Sequence, residues 1–197
     1  MSPRTYLVVG LGNPGPTYVF TRHNVGFWAV DDLADRHGVR FTLSARHRAE
    51  TTSVTLAPSP GCDAIKLILA KPTTYMNESG RAVQAVAGFH KIPVSNIIAI
   101  HDELDLGPGQ LRLKLGGGDN GHNGLKSMRA HLGSGDFLRV RVGIGRPPGR
   151  QPAADWVLAK LRPGDADALR VDAAIAADAV EHLVRDGLDA AQNRFNS

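Results

Sequence analysis

Thr5-Tyr6-Leu7-Val8-Val9-Gly10-Leu11-Gly12-Asn13-Pro14-Gly15 decides how this chain is read. A continuous apolar run that ends in a glycine-rich turn is the pattern of a strand covered on both faces, with a loop at its carboxyl end. The glycines satisfy G-x-G-x-x-G, which after a strand suggests a dinucleotide-binding fold. The prolines argue against that reading. Pro14 and Pro16 remove two backbone N–H donors just where a pyrophosphate would need them, and Asp31 and Asp32, about 20 positions on, fall inside a helical pattern. The turn instead fixes Asn13 at the edge of the sheet where ligands of open α/β folds bind.

Further strand-like runs lie at Ala64–Ala70, Asn96–His101, Gln110–Leu115 and Leu138–Ile144, with the first at Thr5–Leu11. A weaker one, Ser53–Ala57, is placed to pair with the second. Helical spacing alternates with them. Phe27, Val30, Leu33 and Ala34 share a face that Gly38 ends; Ala82, Val83, Val86 and Ala87 share another that stops before Pro93; Leu125, Met128 and Leu132 make a third. Asp155–Leu161 reads as a short helix, and a long amphipathic one starts near Asp165. The alternation predicts an α/β fold, a twisted mixed sheet with helices packed on both faces. At 197 residues the expectation is a single domain, 1–197, without repeats or linkers.

Composition narrows the class. A hydrophobic fraction of 42% and a charged fraction of 21% exclude disorder and fibrous folds. The run Tyr6–Val9 is too short for a signal peptide or a membrane span, so no membrane association is expected. The lone Cys62, in a Gly61-Cys62-Asp63 loop, cannot form an internal disulfide, which suits a cytoplasmic protein. Charge is uneven: residues 1–150 hold 18 basic and 11 acidic residues, whereas residues 151–197 hold 5 and 8. Seventeen of the 23 cations are Arg, the better fork for phosphate. A basic body permits a polyanionic partner such as nucleic acid.

Polar clusters follow four of the strands. Tyr18 and Thr21-Arg22-His23-Asn24 precede the first helix, where a histidine is badly placed for packing. Pro72–Asn77, His101–Leu106 and the glycine loop Gly116–Gly124 end the other strands. Singly each is turn chemistry; four such loops rich in amides and histidines exceed what turns require. Ser79 and Ser134 lack a G-x-S-x-G elbow and read as helix-start and loop residues. No H-x-x-x-H or H-E-x-x-H spacing occurs, so neither a metal nor another cofactor is expected. His101 and His122 read as structural residues of a strand end and of the glycine loop.

With these segments in order the chain resembles the bacterial-type peptidyl-tRNA hydrolases. The matching stretches are Gly10–Gly15 with Tyr18 and Arg22-His23-Asn24, Pro72–Asn77 with Ser79-Gly80, His101–Leu106, Lys114–Lys126 and Arg139–Gly145. The resemblance implies a monomeric, metal-free cytoplasmic esterase that cleaves the peptide from prematurely released peptidyl-tRNA and recycles the tRNA. It puts the general base on His23, a role suited to a side chain titrating near neutrality, with Asp102 as the carboxylate that orients it. It assigns Tyr18, Tyr75, Asn77 and Asn123 to peptidyl-tRNA contact, Asn13 to reading the blocked amine, and Lys114 and Arg141 to a tRNA phosphate. In this reading the Asn13 carbonyl accepts the substrate amide N–H. The rival classes are an RNA-binding module without turnover, which would not need a base–carboxylate pair, and a nicotinamide oxidoreductase, disfavoured by Pro14 and Pro16.

Overall fold

The structure is a computed structural model that describes residues 3–196. Seven strands form one sheet: β1 (Arg4–Gly10), β2 (Thr42–Ser44), β3 (Ala49–Leu56), β4 (Ile65–Pro72), β5 (Ile97–Glu103), β6 (Leu111–Leu115) and β7 (Leu138–Gly143), in the spatial order β2-β3-β4-β1-β5-β7-β6. The central four, β4, β1, β5 and β7, are mutually parallel, while β2, β3 and β6 add antiparallel edges. The helices are α1 (Val25–Arg36), α2 (Ser79–His90), α3 (Asn123–Leu132), α4 (Ala153–Leu158), α5 (Pro163–Asp186) and α6 (Leu188–Phe195).

Alternation along the strands divides the core in two. Val8, Ile98, Ile100, Val140 and Val142 face α1 and α5, while Leu7, Val9, Ile97 and Ala99 face α2 and α3. Burial on both faces explains why β1 and β5 read as continuous apolar runs. β1 lies between β4 and β5, so the chain reverses its direction of winding there, and the carboxyl ends of these strands open a crevice at the switch point.

The mixed sheet with helices on both faces is the expected architecture. Three features depart from the sequence reading. β3 starts at Ala49, ahead of the expected Ser53, because its polar first half (Glu50, Thr51, Thr52) pairs with β4 without an apolar signature. β2 is a three-residue edge strand with Leu43 67% exposed, so nothing in its composition announces it. The long final helix breaks at Gly187, whose φ of 91° ends α5 and starts α6.

Glycines decide how closely the layers approach. A Cβ on Gly26 in α1 would lie 2.4 Å from the Ile100 carbonyl oxygen, and one on Gly10 would lie 2.2 Å from that of Gly26. The first turn of α1 therefore sits directly on the ends of β1 and β5. The first and second glycines of the G-x-G-x-x-G run serve packing: Gly10 meets Gly26, and Gly12 meets the Phe27 ring.

Candidate active site

His23 lies in a 3-10 turn, Arg22–Asn24, that leads into α1, and Asp102 lies near the end of β5. The Gly10–Gly26 contact brings the two elements together, so His23 Nδ1–H donates to Asp102 Oδ2 at 2.8 Å. Asp102 is 4% exposed and His23 8%. A carboxylate can only accept, so the Nδ1 proton is fixed and Nε2 is left with its lone pair. Burial disfavours the charged ring, but the neighbouring Asp102 outweighs it and raises the His23 pKa above its ordinary value. Burial likewise works against ionised Asp102, yet His23 and His122 hold it below the usual carboxylate range.

His122 is the residue whose part the sequence reading missed. It does serve the glycine loop, capping α3 by accepting N–H bonds from Gly124 and Leu125 on Nδ1. Those bonds leave the proton on Nε2, which donates to Asp102 Oδ1 at 2.8 Å. The carboxylate is thus held from two sides by histidines of opposite tautomer. The one available signal was a histidine directly before Asn123 at a cap position usually held by Ser, Thr, Asp or Asn. His101 Nδ1–H donates to the Asp102 carbonyl, its ring meets that of His122 edge-on, and burial and His122 push its pKa down to about 3. It stays neutral at physiological pH.

One ligand atom each from His23, Asp102 and His122 lies within 4.8 Å of the others, a grouping that suggests a metal site. The protonation pattern argues against it. With His122 Nδ1 occupied by two backbone donors, a metal on Nε2 would require an imidazolate.

A cleft of about 330 Å³ gathers Asn13, Tyr18, His23, Tyr75, Asn77, Asp102 and Asn123. Tyr18 and Tyr75 meet edge to face at 6.4 Å, with Tyr75 61% exposed at the rim. Val157 and Leu158 of α4 supply an apolar wall. That wall is fastened beside the turn that carries His23 by the Arg22 guanidinium, 3.6 Å from the Trp156 ring, and by a Thr21–Lys160 bridge.

Asn13 is held on three sides by its neighbours. Its backbone exchanges hydrogen bonds with the Asn24 side chain, and its Oδ1 accepts the Met76 N–H at 2.7 Å. The side-chain carbonyl expected to read the substrate amide already holds the Pro72–Asn77 loop in place. Asn13 lines the cleft, and its Nδ2 group, a donor, makes no hydrogen bond among the described residues.

Lys114 and Arg141 do not line this cleft. They border a second cavity, of about 230 Å³, with Glu103 and Asn120 forming a wall common to both. Arg141 is not a free cation: its Nε and Nη2 both donate to Glu103 Oε1, at 3.0 and 2.8 Å. Asn120, in the glycine loop, donates to the other Glu103 oxygen and to Asp105. Arg139 holds the same loop through the carbonyls of Gly117 and Gly118.

The family model described as peptidyl-tRNA hydrolase matches residues 7–197. The chain is 54% identical to the peptidyl-tRNA hydrolase of Cutibacterium acnes, with all of both chains covered. It is 53% identical to that of Streptomyces coelicolor over 98% of this chain and 95% of the relative. The crystal structure of the enzyme from Acinetobacter baumannii superposes with a TM-score of 0.86 at 36% identity, over 98% of this chain and 95% of that one. Likeness of this extent, end to end in sequence and in fold, places the chain in the peptidyl-tRNA hydrolase family.

Proposed function

We propose that this chain hydrolyses the ester between peptide and tRNA in peptidyl-tRNA, with His23 as the general base. The observation that carries the reading is the buried His23–Asp102 hydrogen bond, which leaves Nε2 as the free nitrogen at the cleft. Nε2 takes a proton from water as the water attacks the ester carbonyl, and Asp102 stabilises the imidazolium that forms. His122 keeps Asp102 from turning away. Asn13 Nδ2 donates to the carbonyl oxygen as it gains negative charge. The amides of Asn77 and Asn123 hold the peptide backbone, and Tyr18 and Tyr75 flank it. Lys114 takes a tRNA phosphate, and Arg141 joins it by exchanging Glu103 for the phosphate.

This chemistry needs no metal ion, and the reading extends to a cytoplasmic monomer whose 197 residues form one domain. Among the described residues no helix is long and apolar enough to cross a membrane.

The test is release of labelled peptide from an N-blocked aminoacyl-tRNA in EDTA. Wild-type protein should release it, and His23→Ala should be slower by about 10²-fold or more with its fold intact. A His23→Ala protein as fast as wild type would remove His23 from the base role.

A further inference from the structure

A second cationic surface lies at the opposite edge of the sheet from β6 and β7, where Lys114 and Arg141 sit. The 3-10 turn Ala45–His47, between β2 and β3, packs against the end of α2. There the Phe89 ring, 56% exposed, stands 4.8 Å from the His47 ring and 4.9 Å from that of His90, with the Arg46 guanidinium 5.7 Å from its centroid. Burial, with Lys66 and His47 nearby, lowers the pKa of His90. Exposed Arg48 and Lys91 follow directly on the same turn and helix. No carboxylate forms an ion pair with Arg46, Arg48, Lys66 or Lys91 among the described residues.

We propose that this patch is a second RNA-contact surface, separate from the catalytic cleft, which takes a single-stranded segment. Phosphates lie on Arg46, Lys66 and Lys91, and an unpaired base stacks on Phe89. Unpaired cations supply affinity for phosphates without sequence preference. An aromatic ring set among cationic and imidazole planes offers the π-face that an unstacked base seeks. One ring among several charges is a poor lipid anchor, since insertion into a membrane needs a broad apolar face. An acidic peptide would use the charges and leave the exposed ring without purpose.

The measurement is fluorescence polarisation of a labelled oligouridylate, with all variants made in a Lys114→Ala/Arg141→Ala background to remove the other basic site. Phe89→Leu keeps apolar bulk against His47 but has no π-face, and should weaken binding about fivefold or more, while Phe89→Tyr restores it. Arg46→Ala with Lys66→Ala should flatten the log–log salt slope by roughly 1.4. Peptide release from a minimal N-blocked substrate should be unchanged by the Phe89 variants in an otherwise wild-type chain. If folded Phe89→Leu and Arg46→Ala/Lys66→Ala proteins bind the oligonucleotide as the background does, the patch only fastens the turn to α2 and the proposal fails. Equal binding of anionic vesicles or of a poly-glutamate peptide would likewise overturn it.

Discussion

Protonation of single side chains governs what the cleft can do. With His23 as the proposed base, its raised pKa means that the basic form appears only above the ordinary imidazole value, so kcat/KM should rise with pH through that raised pKa. Asp102→Asn removes the charge that raises it. The acid limb should then move to lower pH, with the plateau reduced by about 10²-fold or more because the tautomer is no longer enforced; a pH–rate profile in both proteins checks this. The same pair ties stability to pH. A raised histidine pKa stabilises the fold below the unfolded histidine pKa, and this is lost as pH rises through the folded value. The lowered Asp102 pKa stabilises above the unfolded carboxylate value, and this is lost on acidification. The wild-type advantage in Tm over Asp102→Asn should therefore peak between those limits, at mildly acidic pH. Asn13 separates anchoring from chemistry. Asn13→Asp keeps an acceptor for the Met76 N–H but loses the Nδ2 donor, so kcat should fall by about 10²-fold while Tm stays near wild type. An Asn13→Asp protein with undiminished kcat would show that no donor is needed there.

At the level of elements, the contact of α1 with β1 and β5 places His23, and it rests on two residues without side chains. Gly26→Ala would put a methyl group against the Ile100 carbonyl and the Leu11 backbone. The helix must shift, which should cost about 1–3 kcal/mol in denaturant unfolding and lower kcat by lengthening the His23–Asp102 bond. Gly88 in α2 provides the contrast. A Cβ there meets nothing within 4 Å, so Gly88→Ala should stabilise the protein by about 0.5–1 kcal/mol with activity unchanged. Both glycines look alike in the sequence, since each sits inside a helical pattern. Helix existence was legible from the 3.6-residue spacing of Val30, Leu33 and Ala34 or of Val83, Val86 and Ala87. The helix starts were legible too, in Ser79 and in the polar stretch before Val25, but the need for Gly26 and Gly80 was not, because close approach to another element demands them and no local propensity records that.

Over the whole molecule, charge is segregated. The acidic final helices pack on the α1 face of the sheet, while β6 and β7 carry Lys114, Arg139 and Arg141 beside the glycine loop. If Lys114 and Arg141 meet two or three phosphates, tRNA affinity should fall with a log–log salt slope of about −2. Lys114→Ala should flatten that slope, measured by titration at several salt concentrations. Glu103 competes for Arg141 in the free protein. Glu103→Gln should accordingly tighten tRNA binding at low salt, and an unchanged or weaker Kd would show that the ion pair positions Arg141 more than it occupies it.

The class of fold, most of its elements and the polar residues at the strand ends are legible along the chain. These follow from periodicity, from prolines and glycines and from residue chemistry, which are local properties of the chain. The ordered motifs also sufficed for the family resemblance. Tertiary structure alone decided which polar groups engage one another. Asp102 and His122 are 20 positions apart, and Asn13 and Met76 are 63 apart. Whether His122 only caps α3 or also holds a carboxylate depends on how the glycine loop crosses the end of β5. Whether the Asn13 carbonyl or its amide faces the cleft depends on where the loop after β4 passes. Hydrogen-bond partnership between distant segments is set by packing of the whole sheet, and no spacing along one strand or helix encodes it.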